Sequence, residues 1–239
     1  MLVIPAIDVS GGRLARLQAG ERVPVGGFNG DPLEAARAFR TAGATWVHAV
    51  DMDQAFTGKV SDLSFMTRIA DLGMKVQASG GISTAEAVRA ALDAGAARVV
   101  LGSAALVNRE FVEEAVETFG ERLALGLEAD GGMIRPRGLG TDAHLDLSET
   151  LRWLSALGAA RLVFTQVRAV GSLSGPDHVT PRSIMTSVPG VPVIISGGIS
   201  TPADISVLAR EGTEGAVVGR ALYEGTLDLG EAIAAGGPT

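Results

Sequence analysis

Val76-Gln-Ala-Ser-Gly-Gly-Ile-Ser-Thr84 and Val193-Ile-Ile-Ser-Gly-Gly-Ile-Ser-Thr201 are two copies of one phrase, 117 residues apart. Each runs from an apolar stretch into Ser-Gly-Gly and then into a small polar pair suited to opening a helix. At the same offset, Gly102-Ser-Ala-Ala-Leu106 falls on Gly219-Arg-Ala-Leu-Tyr223. At an offset of 120, Asp8-Val-Ser-Gly-Gly12 falls on Glu128-Ala-Asp-Gly-Gly132. The chain therefore reads as two copies of one unit, roughly residues 1–120 and 121–239, forming a single domain of two half-barrels. The repeat sets Asp8 and Glu128 at equivalent strand ends on opposite sides of one mouth.

Around these phrases, short β-branched runs alternate with Ala-rich stretches of helical spacing. The runs are Leu2–Ile7, Thr45–Val50, Lys75–Ser79, Arg98–Leu101, Arg122–Glu128, Arg161–Thr165, Val191–Ser196 and Gly215–Val218. Helices are predicted over stretches such as Pro32–Ala42, Thr84–Ala94, Glu110–Thr118 and Ser148–Leu157. Eight βα units predict a closed parallel (β/α)8 TIM barrel of the α/β class. The length of 239 residues suits one such domain. So does an apolar content drawn mostly from aliphatic residues, with aromatics at only 4%. A doubly wound nucleotide fold fits less well, because no GxGxxG opens the first helix.

The charge pattern narrows the function. The net charge is -7 with no basic run, which argues against nucleic-acid binding. There is no cysteine, so no disulfide and no thiolate metal site. His48, His144 and His178 are scattered and form no ligand pattern. No stretch reads as a signal peptide or membrane span, so a cytoplasmic protein that binds neither nucleic acid nor membrane is expected. A monomer is expected too.

The glycines carry the first chemical reading. A Gly pair after a buried strand lets backbone amides approach an anion closely. Ser79, Gly80 and Gly81 supply one such turn, and Ser196, Gly197 and Gly198 the other. Gly102-Ser103 and Gly219-Arg220 close strands four and eight in the same manner. Barrels often seat a phosphate between the loops after strands seven and eight, here Gly197, Gly198, Gly219 and Arg220. One Ser-Gly-Gly alone would be read as a tight turn. Two copies, each with a second glycine strand end about twenty residues on, favour a phosphorylated ligand.

Together these motifs resemble the phosphoribosyl isomerases of histidine and tryptophan biosynthesis, over essentially the whole chain, and above all the members that serve both pathways. The resemblance rests on Pro5-Ala-Ile-Asp8-Val, Gly12-Arg13 with Arg16-Leu17, and Val50-Asp-Met-Asp-Gln-Ala-Phe56. It rests also on the two Ser-Gly-Gly-Ile turns, Gly102-Ser-Ala-Ala-Leu106 and Val218-Gly-Arg-Ala-Leu-Tyr223. It implies an Amadori rearrangement of a phosphorylated aminoaldose to an aminoketose, needing two positioned carboxyls and no metal or organic cofactor. It implies Asp8 as general base, Thr165 as a retained site residue, Arg16 as a substrate contact and Asp51 as a group orienting the site. Asp51 reads equally as a buried structural acid.

The departures from the family pattern are specific. Strand six of the family ends in Thr-Asp-x-x-x-Asp-Gly-Thr, with the second Asp as general acid. This chain has Thr165, Gln166 and Val170. Valine transfers no proton, so the acid is expected to be Glu128, or Asp130 two residues on. Ser83 stands where the family has an Arg for the far phosphate of the histidine-pathway substrate, ProFAR. Leu139 stands where a Trp stacks on that substrate, while Arg137 matches a residue that pairs a carboxylate. The missing Arg and the missing Trp are the groups that the resemblance places at one end of ProFAR. The expectation is therefore isomerisation of phosphoribosylanthranilate, with a bifunctional enzyme as first alternative. A sugar-phosphate-binding barrel without turnover is the second.

Overall fold

The computed structural model describes residues 1–18, 21–130, 132–135, 145–167 and 179–238. The first half holds β1 (Leu2–Ser10), β2 (Arg13–Gln18), β3 (Glu21–Pro24), α1 (Pro32–Thr41), β4 (Trp46–Asp51), α2 (Met52–Thr57), α3 (Ser64–Ala70), β5 (Lys75–Ser79), α4 (Ala85–Asp93), β6 (Ala96–Leu101) and α5 (Arg109–Phe119). The second holds β7 (Leu123–Asp130), β8 (Met133–Ile134), β9 (Leu145–Asp146), α6 (Leu147–Leu157), β10 (Leu162–Gln166), α7 (Val179–Ser187), β11 (Val193–Ser196), α8 (Pro202–Glu211), β12 (Gly215–Val218), α9 (Arg220–Tyr223) and α10 (Leu229–Ala235).

Eight parallel strands close in the order β1-β4-β5-β6-β7-β10-β11-β12, with β12 pairing back onto β1. This is the (β/α)8 barrel expected from the alternation of strands and helices, and it leaves the doubly wound alternative no open sheet. Strands β5 and β12 have the predicted bounds. Strands β1 and β7 run past them, to Ser10 and Asp130, because each continues into an antiparallel hairpin. Val9 and Ser10 pair with Leu14 and Arg13, and Ala129 and Asp130 with Ile134 and Met133. Gly11 and Gly12 turn the first hairpin at φ 56° and 74°, a region open to glycine. The β2–β3 hairpin is absent from the sequence-based expectation.

Side chains alternate along each strand, and the two phases meet different cores. Ile4, Ala6, Val100, Ala124, Val163, Ile194 and Val217 fill the barrel interior. The opposite phase, including Ile7, Val9, Leu125, Leu127, Leu162 and Phe164, packs outward against the helices. Arg98 closes the floor: only 3% exposed, it stacks on Trp46 at 4.3 Å and faces Glu214, which also pairs with Arg161. Burial and the neighbouring Arg161 charge push the Arg98 guanidinium down to about 10 despite Glu214. Thr84 and Thr201 cap α4 and α8 through their hydroxyls, as the repeated Ser-Thr predicts, and Asp204 completes a capping box on the second copy alone.

Candidate active site

A cavity of about 440 Å³ opens at the C-terminal ends of the strands, a size suited to a small-molecule ligand. Of the residues expected at the site, Asp8, Arg16, Gly80, Gly81, Gly102, Ser103, Glu128, Thr165, Ser196, Gly197, Gly198, Gly219 and Arg220 line it. Asp51 and Asp130 do not. Arg137, Leu139 and Val170 lie outside the described residues.

The strand phases explain which acids reach the cavity. On β1, Ile7 and Val9 face the helices, so Asp8 follows Ala6 into the interior. On β7, Leu127 and Ala129 face outward, so Glu128 follows Ala124 inward. Strands β1 and β7 lie four places apart in the ring of eight, which sets the two carboxyls across the mouth from each other. Asp130 shares the inward phase but sits on the hairpin, paired with Met133, beyond the cavity wall. Thr165 is the register partner of Glu128 on β10.

Ser103, expected at the substrate, has a structural role inside the wall. It is 1% exposed, and its Oγ donates to the Gly126 carbonyl at 3.2 Å and accepts the Glu128 N–H at 2.9 Å. That pair stitches the β6 loop to β7 and fixes the backbone that carries Glu128. Tyr223 does the same for β1: its hydroxyl donates to the Ala6 carbonyl at 2.7 Å. Burial, helped by the negative charge of Asp8, raises the phenol well above its usual range, so it stays protonated. Edge-on contacts with Phe28 and Phe39 hold its ring. His48, set aside in the sequence as scattered, faces the cavity one layer below Val50. Its Nδ1 meets the Gln77 amide nitrogen at 2.8 Å.

The glycines divide into two kinds. A Cβ on Gly80 would meet the Asp51 carbonyl oxygen at 2.2 Å, and one on Gly81 the Gln54 carbonyl oxygen at 2.6 Å. These two are glycines because the start of α2 packs on them, whatever else they do. A Cβ on Gly102 would meet nothing within 4 Å among the described residues, and one on Gly219 only the Ala6 Cβ at 3.6 Å. Gly102 has φ -71° and ψ 165°, a backbone that any residue adopts. Gly219, at φ -118° and ψ -96°, has a backbone that favours glycine, so only its packing leaves the place open. Side-chain packing does not require glycine at either place, and both line the cavity on opposite strands.

Of the two roles open to Asp51 in the sequence, orienting the site or serving as a buried structural acid, its contacts are those of a helix cap. It is 2% exposed, and its carboxylate accepts the Gln54 N–H at 2.9 Å and the Ser61 hydroxyl at 2.6 Å. Burial raises its pKa, against the pull of those two hydrogen bonds. The neighbouring Asp53, which the sequence reading did not single out, anchors the hairpin. It accepts from Ser10 Oγ at 2.8 Å, the Gly11 N–H at 2.6 Å and Arg22 Nη1 at 2.5 Å. Burial works to raise this carboxyl, but those three partners outweigh it and hold the pKa below 3.8. The hairpin so anchored brings Ala15, Arg16, Leu17 and Pro24 to the cavity wall. The adjacent acids of Asp51-Met-Asp53 were the one available signal. Among the described residues no cluster of three His, Cys, Asp or Glu is placed to hold a metal. No helix among them is long and apolar enough to cross a membrane.

A closed parallel barrel with its cavity at the C-terminal strand ends defines the (β/α)8-barrel class, in which active sites occupy that face. The profile of the family described as histidine biosynthesis protein matches residues 2–228, and the chain belongs to that family. Similar proteins are the 1-(5-phosphoribosyl)-5-((5-phosphoribosylamino)methylideneamino)imidazole-4-carboxamide isomerases of Frankia alni, Moorella thermoacetica and Thermobifida fusca. The first is 42% identical over 98% of this chain and 95% of its own. The second is 40% identical over 98% of each. The third is 41% identical over 97% of this chain and 95% of its own. These relatives are named for a substrate with two phosphoribosyl groups. The expected narrowing toward phosphoribosylanthranilate finds no support among them.

Proposed function

We propose that this chain is a phosphoribosyl isomerase that converts ProFAR, the bis-phosphorylated aminoaldose for which its relatives are named, to the aminoketose. The observation that carries the reading is the pair of glycines, Gly102 and Gly219, that packing does not require. They face one cavity from opposite strands, and a ligand with a phosphate at each end uses both. A substrate with a single phosphate leaves one of them idle.

In this reading Glu128 protonates the ribose ring oxygen as the C1′–O4′ bond breaks. The amine lone pair forms an iminium at C1′. Asp8 then takes the C2′ proton and the electrons of that bond move to give an enolamine, which tautomerises to the ketone. Ser103 holds the backbone of Glu128, and Tyr223 that of the strand bearing Asp8. A positioned acid or base contributes about 10²–10⁴-fold. Asp8→Asn and Glu128→Gln should each lower kcat on ProFAR by that order with little change in KM. Near-full kcat in Glu128→Gln, with loss in Asp130→Asn, would move the acid to Asp130.

The second reading, phosphoribosylanthranilate as substrate, keeps the support of Ser83 and Leu139 at positions where the family carries groups for ProFAR, and of Val170 at the family's general-acid position. Separate assays on the two substrates decide between the readings, and turnover of neither would leave a binding protein without catalysis.

A further inference from the structure

The β12 end of the cavity holds a cluster that the reaction above does not use. Arg16 reaches across from the β2–β3 hairpin and Arg220 rises from the start of α9. Glu224, just after α9, takes both: its Oε1 accepts from Arg16 Nη1 at 3.1 Å and from Arg220 Nε at 2.6 Å. All three line the cavity. Arg16 Nη2 donates to Gln18 Oε1 at 2.9 Å, while Arg16 Nε is buried with no hydrogen-bond partner among the described residues. One carboxylate oxygen thus stands between two guanidiniums at the mouth, beside an unused donor.

We propose that Glu224 is an internal counter-anion that sets how tightly the β12 end holds a phosphate. Its carboxylate occupies the place between Arg16 and Arg220 that a phosphate oxygen of the ligand takes. The inference rests on reading this end as a phosphate site.

The physical reason is competition. A guanidinium presents its donors in a fixed fork and pairs with carboxylate or phosphate alike. With Glu224 between them, the two arginines carry one net positive charge rather than two, and an arriving phosphate must displace a bound carboxylate. The hydrogen bond from Arg220, reinforced by Arg16, holds the Glu224 carboxyl below its usual range, so the competitor is ionised at neutral pH. A phosphate outcompetes it by its larger charge and its additional acceptor oxygens. A site that must release a phosphorylated product gains from such a competitor, because binding substrate and product too tightly slows turnover.

The test is binding of ribose 5-phosphate to the full chain by calorimetry. Glu224→Gln keeps the shape and removes the charge, and its Kd should fall about tenfold, with a steeper loss of affinity as salt rises. Glu224→Asp keeps the charge and should stay within about twofold of wild type. On ProFAR, Glu224→Gln should lower KM and kcat together. An unchanged or weaker Kd in Glu224→Gln would overturn the proposal, since a group that only braces Arg16 weakens binding when removed. Equal tightening in Glu224→Asp would overturn it too, because charge would not be the cause. Turnover of ProFAR with no binding of ribose 5-phosphate by wild type or variant would overturn the phosphate site while leaving the isomerase reading in place.

Discussion

At the β5–β6 side of the mouth, Gly80 and Gly81 are pressed against the backbone of Asp51, Gln54 and Ala55, and the following loop carries Gly102 beside a buried serine. At the β11–β12 side the same phrase gives Gly197 and Gly198 nearly the same backbone, with φ 101° and 78° against 103° and 66°. There the following loop carries Gly219 beside Arg220. The repeat has kept the backbone of the Gly-Gly turn, but the next loop differs both in its glycine, ψ 165° at Gly102 and -96° at Gly219, and in the side chain beside it. Ser103 turned inward to brace Glu128, while Arg220 joined Arg16 and Glu224 at the mouth. One end offers amides and little charge. The other offers amides and two guanidiniums. On the proposed function the two ends of a bis-phosphate substrate would be held unequally, with the charged end as the anchor.

That comparison is sharpest at the two open glycines. A methyl group at either place stands where a phosphate oxygen would meet the backbone, and losing a charge-assisted hydrogen bond costs about 1.5–3 kcal/mol, or roughly ten- to a hundredfold in KM. Gly219→Ala should raise KM for both ProFAR and phosphoribosylanthranilate by that amount. Gly102→Ala should raise it for ProFAR alone, and its melting temperature should hold or rise, since its backbone suits alanine. Equal effects of Gly102→Ala on both substrates would break the assignment of the two ends.

The hairpins that extend β1 and β7 differ in the same spirit, and the first is latched by Asp53. A carboxyl whose folded pKa is lowered contributes stability that is present above its unfolded value of 3.8 and lost as pH falls through the folded value. Asp53→Asn should therefore lower the melting temperature by about 2–4 °C at pH 7, for roughly 1 kcal/mol in a partly exposed network. The difference should close in acid below the folded pKa. A difference that persists unchanged into strong acid would show that shape, and not charge, makes the latch.

The barrel was legible because buried parallel strands write themselves as β-branched runs, and because the two Ser-Gly-Gly phrases fixed the repeat. The β2–β3 hairpin was not, since Arg13-Leu-Ala-Arg-Leu-Gln18 lacks the strict alternation of a half-buried strand. Asp51 and Asp53 differ in role only because α2 begins between them, leaving the first as its cap and turning the second toward the hairpin. Gly80 and Gly102 look alike in sequence, and only the packing of α2 shows that one is required by the fold and the other is not. Glu224 carried no signal beyond its place after Gly219-Arg-Ala-Leu-Tyr223, because its partner Arg16 lies 208 residues away.

A two-ended site is tested by kcat/KM of the wild-type protein on ProFAR and on phosphoribosylanthranilate under one set of conditions, with and without EDTA. Such a site gives the larger value on ProFAR, where both cradles are filled, and no effect of the chelator. A larger value on phosphoribosylanthranilate would contradict it and restore the single-phosphate substrate.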